Sequence, residues 1–202
     1  PHQGRDVILE ALGENGINAM IGADILSSAN SEYSSNIEYD DNPISNNLKD
    51  IAKVIFSDVG TKIYYAQHGS FDTHAGELIN HAKLWKDLSV ALGDFFDDLK
   101  EHNREEDVTV LLFSEFGRRI EDNGSGTDHG SGGNAFLLGG SLKGGFYGEL
   151  PSLELSEQVE GDMKYNNDFR SIYATLLDQW LGVDPMPVLG SNYEQHDFFR
   201  KG

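Results

Sequence analysis

The chain has 202 residues, and its 15 Lys and Arg residues stand against 34 Asp and Glu residues, so that the formal net charge at pH 7 is -19. A negative charge of this size argues against a nucleic-acid backbone or an anionic lipid surface as the partner. The sequence contains no cysteine, which excludes disulfides, thiolate metal sites and a cysteine nucleophile, and no run approaches the roughly 18 apolar residues of a membrane span.

The first 42 residues are predicted to form an N-terminal segment and a polar loop that precede the main domain. Residues 5–13, RDVILEALG, have the pattern of a short amphipathic helix that ends at Gly13. From Ser27 to Asn47 the chain is rich in Ser, Asn and Asp, which is typical of a long surface loop or a linker. The main domain is therefore predicted to cover residues 43–202.

Two helices and a strand are predicted in the first half of this domain. Residues 44–60 form a helix, because Leu48, Ile51 and Ile55 recur at helical spacing before Gly60. Residues 62–68, KIYYAQH, are rich in β-forming residues and are predicted to be a strand. A long helix is expected over about residues 76–102, since its apolar residues repeat every three or four positions and so mark a face toward the core.

The second half of the domain is predicted to hold two buried strands and a closing helix. Residues 107–114, DVTVLLFS, form a continuous apolar run, which is typical of a strand covered on both faces in a parallel sheet. A Gly-rich polar loop (122–133), a second buried strand (135–140) and a turn or short hairpin (144–151) follow. Residues 168–182 then form a helix, with Asp168 as its N-cap and Gly182 just after its end. This order of elements is typical of α/β proteins.

Polar clusters follow the predicted strands at three places. In FDTH, Asp72 and His74 are two positions apart and project from one face of an extended segment, where they suit a divalent cation such as Zn²⁺ or Mn²⁺. The alternative is that Asp72 caps the following helix and His74 lies at the surface. In GTDHG, glycines flank Asp128 and His129, so that a turn can bring both to one ion, although a solvated loop is the alternative.

The third cluster is SEFGRR at residues 114–119, directly after the apolar run. Glu115 is expected to emerge at the carboxyl edge of the sheet, where α/β proteins bind ligands. Arg118, with Arg119 as the second choice, is suited to bidentate contact with an anionic oxygen. The alternative is an Arg–Glu ion pair at the end of a strand. Ser114 is not predicted to be a nucleophile, because no base is placed to activate it.

If the strands are parallel, the three clusters meet at one edge of the sheet and form a carboxylate-rich site with two imidazoles. The sequence has no phosphate-binding loop of the Walker type and no GxGxxG motif after a strand, which argues against a nucleotide cofactor. His68 and His81 are weaker candidates for the site. The predicted ligands of a divalent metal (Zn, Mn, Ca or Mg) are Asp72, His74, Glu115, Asp128 and His129.

Several of these motifs, in this order, resemble the bacterial family known as domain of unknown function 1501, which is related to the alkaline phosphatase and sulfatase superfamily. They are GSFDTH, VLLFSEFGRR, NGSGTDHG, GGFYGELP and DFRSIYATLLDQWLG, and the resemblance runs from about Pro43 to about Gly182. It implies an α/β three-layer sandwich with a mostly parallel central sheet of alkaline-phosphatase-like type. The chain is expected to be the C-terminal half of such a fold, because nothing in it matches the upstream Asp and the Ser or Thr nucleophile of the superfamily.

The resemblance also implies roles for single residues. Asp72 and His74 look like the metal-binding Asp/His element of the family, and Asp128 and His129 look like its late His-containing element. Glu115 takes the place of an Asp–His pair in the superfamily, and Phe116 stands where an imidazole is expected. Family members commonly carry a twin-arginine export signal, which implies a periplasmic or extracellular protein.

The function predicted from these observations is a metal-binding, hydrolase-like domain that acts on small phosphate or sulfate esters as part of a longer protein. Arg118 is predicted to orient the anionic substrate. The alternative is a non-catalytic binding or structural module at the cell surface, stabilised by a divalent cation. Half of such a sheet would leave one edge strand exposed, and an exposed edge needs another segment to cover it. A homodimer or a missing N-terminal half is therefore also predicted.

Overall fold

The structure, a computed structural model, describes residues 17, 20–25, 27–29 and 31–200. The helix predicted over residues 5–13 lies outside these residues. The described chain divides into two compact units. The first unit contains the described residues up to Phe71 together with Ala82–Asn103, and the second contains Asp72–His81 together with the described residues from Arg104 onward.

Helix α1 (Pro43–Phe56) confirms the helix predicted over residues 44–60, but it begins within the stretch that was predicted to be a polar loop. The Asn42 side chain accepts a hydrogen bond from the Ser45 backbone N–H (2.9 Å), and Pro43 occupies the first turn. Asn before Pro is therefore the start signal of this helix rather than part of a loop. Residues 27–29 and 31–32 are helical as well, so the predicted loop is correct only for residues 33–42.

Helix α2 (Glu77–Glu101) confirms the long predicted helix. The predicted apolar stripe is buried only in the second half of the helix, since Leu78 near the start is 86% exposed. Asp98 is fully buried on the same face as the apolar residues. The core of the first unit is formed by apolar residues of α1 (Ile44, Leu48, Ala52 and Ile55) and of α2 (Leu88, Ala91, Phe95 and Leu99), with Ala29 from the preceding helical segment.

The second unit contains four short strands: β1 (Thr109–Leu112), β2 (Gly117–Asp122), β3 (Thr127–Gly130) and β4 (Phe136–Gly139). They form two antiparallel pairs, β1 with β4 and β2 with β3. The α/β three-layer sandwich with a mostly parallel central sheet, predicted from the sequence, is therefore wrong. The described residues contain two small antiparallel two-stranded sheets instead.

The connection between β1 and β4 explains this correction. A parallel pair needs a crossover connection, usually a helix, whereas β1 is followed by the β2–β3 hairpin and then by β4. All four residues of β1 are only half-buried, although its apolar run suggested a strand covered on both faces. The Gly-rich stretch predicted to be a polar loop in fact contains β3 and the turn of the hairpin.

The segment predicted as a strand at residues 62–68 forms no strand. Its burial still alternates, because Ile63 and Tyr65 are exposed whereas Tyr64, Ala66 and His68 are half-buried. No described segment pairs with these residues in a β-ladder, and a strand requires such a partner.

The closing helix is confirmed, with one irregularity. Helix α3 (Phe169–Thr175) continues into a π-helical turn (Leu176–Trp180), and Asp168 caps its start by accepting from the Arg170 backbone N–H at 2.9 Å. Gly182 has a φ of +65°, as expected of a residue that ends a helix. Short helical segments also occur at Glu105–Asp107, Leu155–Glu157 and α4 (Met186–Leu189), while residues 144–151 contain bends rather than a hairpin. Among the described residues, no helix has the length and apolar character that crossing a membrane requires.

Candidate metal centre

Three of the five predicted metal ligands converge in the second unit. Asp72 Oδ1 lies 2.7 Å from His129 Nε2 and 2.8 Å from His74 Nε2. One ligand atom of each residue lies within 4.8 Å of the others, although Asp72 and His129 are 57 positions apart in the sequence. All three side chains are exposed at the surface, so the group is accessible to an ion from solvent.

The two segments that carry these residues have different local structures. Asp72 and His74 precede helix α2 and flank Thr73, which is buried. The two side chains therefore share one side of the segment, as the spacing of two predicted, while Thr73 faces inward. His129 lies on β3, opposite Arg118 of β2 in the hairpin.

Aromatic packing holds the ring of His129. The Phe116 ring stacks on it with a centroid distance of 3.8 Å and an interplanar angle of 11°. On the site side, the rings of His74 and His129 have their centroids 4.9 Å apart. Phe116, which stands where the resemblance implied another imidazole, thus restricts the orientation of an imidazole that is present.

Asp128 contacts the group through the other nitrogen of His74. Its Oδ1 lies 3.1 Å from His74 Nδ1, and Asn123 Nδ2 donates to the same oxygen (3.4 Å) and to the His74 backbone carbonyl (3.2 Å). A carboxylate on the far nitrogen of a ligating imidazole commonly fixes the orientation of the ring. Asp128 thus contacts His74 at the nitrogen opposite the one that faces Asp72, and it is not one of the three residues whose ligand atoms converge.

Hydrogen bonds with the imidazoles change the acidity of both aspartates. The bond from His129 lowers the pKa of Asp72, and the bonds from His74 and Asn123 lower the pKa of Asp128. Ionised carboxylates only accept hydrogen bonds, so the Nε2 atoms of His74 and His129 act as donors to Asp72. An incoming cation must displace these protons, and its binding is therefore coupled to pH.

Glu115 is not part of the group that the structure brings together. It is an exposed residue at a bend in the connection between β1 and β2. The prediction assumed that a parallel strand would carry it to the same sheet edge as the other ligands. The antiparallel pairing of β1 removes that assumption.

Arg118 faces the interior of the unit, with only 19% of its side chain exposed. Its Nη1 donates to the carbonyls of Thr127 (2.6 Å) and Thr73 (3.4 Å), and its Nη2 donates to Thr73 Oγ1 (3.1 Å). This position differs from the substrate-facing one predicted from the sequence. Arg119, the second choice, is exposed, and its charge contributes to the lowered pKa of Asp128 after the hydrogen bonds named above.

Glu77, the first residue of helix α2, was missed in the sequence analysis. Its Oε2 accepts from the backbone N–H of Thr127 (2.6 Å) and from the Thr127 hydroxyl (2.8 Å), and its Oε1 lies 3.7 Å from Arg118 Nε. Burial opposes its ionisation, yet the two bonds from Thr127 and the charge of Arg118 lower its pKa. An acidic residue in the first turn was the only sequence signal, and it is common in helices.

The two weaker histidine candidates have other partners. His81 Nδ1 lies 3.5 Å from Glu77 Oε1, one turn along helix α2. His68 belongs to the first unit, where its Nε2 contacts the Leu84 carbonyl at 3.2 Å. Neither is among the residues whose ligand atoms converge.

A second carboxylate–histidine group lies in the first unit, at Asp98, Glu101 and His102 of helix α2 and its C-terminal end. Asp98 Oδ2 accepts hydrogen bonds from the hydroxyls of Tyr33 (2.7 Å) and Tyr39 (2.9 Å). Burial, followed by the bond to Asp98, raises the pKa of both tyrosines.

The histidine and the glutamate of this second group are also engaged by the protein. His102 places its two ring nitrogens against backbone carbonyls, of Asp98 at 2.9 Å and of Ser34 at 3.1 Å, and its ring stacks on Phe56. Glu101 accepts from Ser35 Oγ (2.7 Å) and from the Asn36 backbone N–H (3.0 Å). The polar atoms of this group thus join the segment 33–39 to helix α2.

Comparison with known proteins gives one family. The family model described as "Protein of unknown function (DUF1501)" matches residues 38–195, which is most of the chain. No curated protein and no solved structure matches the chain. The family named from the sequence motifs is confirmed, and the match carries no evidence on the alkaline phosphatase and sulfatase superfamily.

Proposed function

We propose that this chain, which belongs to the DUF1501 family, binds a divalent metal ion through Asp72, His74 and His129. The convergence of their ligand atoms within 4.8 Å, from two separate segments, supports this proposal. Two imidazoles and one carboxylate suit Zn²⁺ or Mn²⁺, and three protein ligands leave a position for water or substrate. The contact between Asp128 and His74 Nδ1 adds the outer carboxylate that such sites commonly have.

The second part of the proposal is that the site hydrolyses small phosphate or sulfate esters. It rests on the sequence resemblance to the alkaline phosphatase and sulfatase superfamily. A divalent metal at this position would polarise an ester oxygen and lower the pKa of bound water. Because Arg118 donates to main-chain carbonyls, we assign the orientation of the anion to the exposed Arg119.

The alternative is a non-catalytic module in which the metal serves stability or binding. One observation favours it: Arg118, the cation predicted to contact substrate, donates its hydrogen bonds inside the unit. Both functions would use the same three metal ligands, so metal binding alone does not distinguish a catalytic site from a non-catalytic module. Ester turnover by the metal-loaded protein does distinguish them.

The first experiment measures metal content and the dissociation constants of Zn²⁺ and Mn²⁺ for the purified chain. We expect Asp72→Ala and His129→Ala each to weaken binding at least about 100-fold, since each removes one of three ligands. Glu115→Ala is the matched control and should bind like the wild type. A loss in Glu115→Ala as large as that in Asp72→Ala would contradict the three-residue site.

The second experiment tests hydrolysis with p-nitrophenyl phosphate and p-nitrophenyl sulfate. We expect turnover by the metal-loaded wild type that chelator and Asp72→Ala abolish. Arg119→Ala should raise KM because the anion loses its cation, whereas Arg104→Ala, which removes an arginine from an Asp107 ion pair, should not. Metal binding without turnover of either ester would favour the module.

A further inference from the structure

We infer that Arg118 is a positioning residue that holds the two ligand-bearing segments of the metal centre in register, and that Glu77 fixes Arg118 in turn. This inference rests on the proposed function, since it concerns the same site. It gives Arg118 a role distinct from contact with substrate.

Arg118 bonds to both segments at once. Thr73, whose carbonyl and hydroxyl both accept from Arg118, lies directly between Asp72 and His74. Thr127, whose carbonyl accepts at 2.6 Å, is two positions before His129 on β3. Because the guanidinium is planar and rigid, these bonds fix the distance between the two segments as well as their orientation.

Glu77 closes the same network from helix α2. Its carboxylate accepts both the backbone N–H and the hydroxyl of Thr127 and lies beside Arg118 Nε. The side chains of Glu77 and Arg118 are 16% and 19% exposed, so neither charge is well solvated and each depends on the other. Substitution of Glu77 or Arg118 therefore disturbs the other charged residue as well as the bonds to Thr73 and Thr127.

Glycines permit the close approach that this network needs. A Cβ at Gly126 would lie 3.0 Å from Glu77 Oε2 and from the carbonyls of Thr73 and His74. A Cβ at Gly130 would lie 2.6 Å from the Arg118 carbonyl group. Gly126 thus lets the turn of the hairpin approach the Asp72–His74 segment beside Thr127, which Arg118 and Glu77 bind, while Gly130 lets the two strands of the hairpin pack closely.

A purely structural role for Arg118 makes a different prediction from a positioning role. If Arg118 only stabilised the hairpin, its substitution would lower the melting temperature, and the folded variant would keep the wild-type metal affinity. If it positions the ligands, the folded protein binds metal more weakly and with altered ligand geometry. Affinity and the ligand-field spectrum of bound Co²⁺ separate the two roles.

The test compares Arg118→Lys with the wild type in the full chain, using Zn²⁺ competition titrations and Co²⁺ absorption spectra at a temperature where both are folded. Lysine keeps the charge but lacks the planar fork. We expect Zn²⁺ binding to weaken about 10- to 100-fold, as for other outer partners of metal ligands, and the Co²⁺ spectrum to change. Arg170→Lys is the matched control, because Arg170 forms an exposed pair with Asp168 in the same unit and its exchange should change neither readout.

Thr73→Val is the second variant, for the case that Arg118→Lys does not fold. It keeps the shape of the side chain and removes the acceptor of Arg118 Nη2, and we expect weaker Zn²⁺ binding of about 3- to 10-fold. If folded Arg118→Lys and Thr73→Val both kept the wild-type Zn²⁺ affinity and Co²⁺ spectrum, the inference about Arg118 would be overturned and the proposed function would stand. Absence of metal binding in the wild type would overturn the proposed function and the inference with it.

Discussion

The two carboxylate–histidine groups of this chain contain the same kinds of side chain in opposite surroundings. Asp72, His74 and His129 are exposed and contact chiefly each other. In the second group Asp98 is fully buried, and its Oδ2 already accepts two tyrosine hydroxyls. A cation can reach the first group from solvent, whereas at the second it would have to replace bonds that connect a loop to a helix.

The comparison shows why residue type and spacing do not identify a metal site. The helical group has the regular i, i+3 and i+4 spacing that a sequence search would favour. The exposed group is assembled from segments that are far apart in the sequence. What distinguishes them is exposure: the side chains of the first group are open to solvent, whereas Asp98 is buried and bonded to two tyrosine hydroxyls.

The largest expected effect is on the buried group. Asp98→Ala should lower the free energy of unfolding by about 3–5 kcal/mol, because it leaves the hydroxyls of Tyr33 and Tyr39 without their buried acceptor. The dissociation constant for Zn²⁺ should not change. Urea unfolding measures the free energy of unfolding, and titration measures the dissociation constant.

Asp97→Ala is the control for this prediction. Asp97 forms an exposed pair with Lys100, so its substitution should lower the free energy of unfolding by about 0.5 kcal/mol or less. Loss of Zn²⁺ affinity in folded Asp98→Ala would show that the buried group binds the metal as well.

A smaller effect is expected for the outer carboxylate of the exposed group. Asp128→Asn should weaken Zn²⁺ binding about 10-fold, because an amide orients His74 and supports its basicity less well than a carboxylate. Glu121→Gln, which changes an exposed carboxylate of the same hairpin, should leave the affinity unchanged. If Asp128→Asn weakened binding as strongly as Asp72→Ala, Asp128 would itself be a ligand, as the sequence analysis predicted.

The smallest expected effect is on how the melting temperature of the metal-free protein depends on pH. The hydrogen bond from His129 holds the pKa of Asp72 below its ordinary value, so ionised Asp72 is favoured in the folded state. Its contribution to stability is present above the unfolded value of about 3.9 and is lost as pH falls through the lower folded value. The difference in melting temperature between wild type and Asp72→Ala should therefore shrink on acidification from about pH 5 to about pH 2. A difference that is constant over this range would show that the bond does not stabilise the fold.

More of the candidate site than of the fold could be predicted from the sequence. Asp72, His74 and His129 were singled out because a carboxylate and imidazoles in short polar motifs have a local signature, and the structure brings these three residues together. The inclusion of Glu115 depended on a parallel strand arrangement, and the structure does not bring Glu115 together with the other three residues. Glu77 and the inward position of Arg118 could not be predicted, because they depend on which backbone groups need partners once the hairpin has formed.

The error in fold class has a similar origin. The apolar run at β1 correctly indicated residues that are at least half-buried. Burial does not specify the direction of a neighbouring strand, and β1 pairs antiparallel with β4. Helices α1, α2 and α3 were predicted more reliably because apolar periodicity is local, and for α3 the cap Asp168 is local as well.

The glycines of the hairpin bear on how this site can vary among related sequences. A Cβ at Gly117 would lie 1.7 Å from the Gly132 carbonyl oxygen, so no other residue fits there without moving the main chain. The side chains of Asp72, His74 and His129, in contrast, are exposed. Related sequences are therefore expected to keep Gly117 more strictly than these three surface side chains, because its substitution forces the main chain to move.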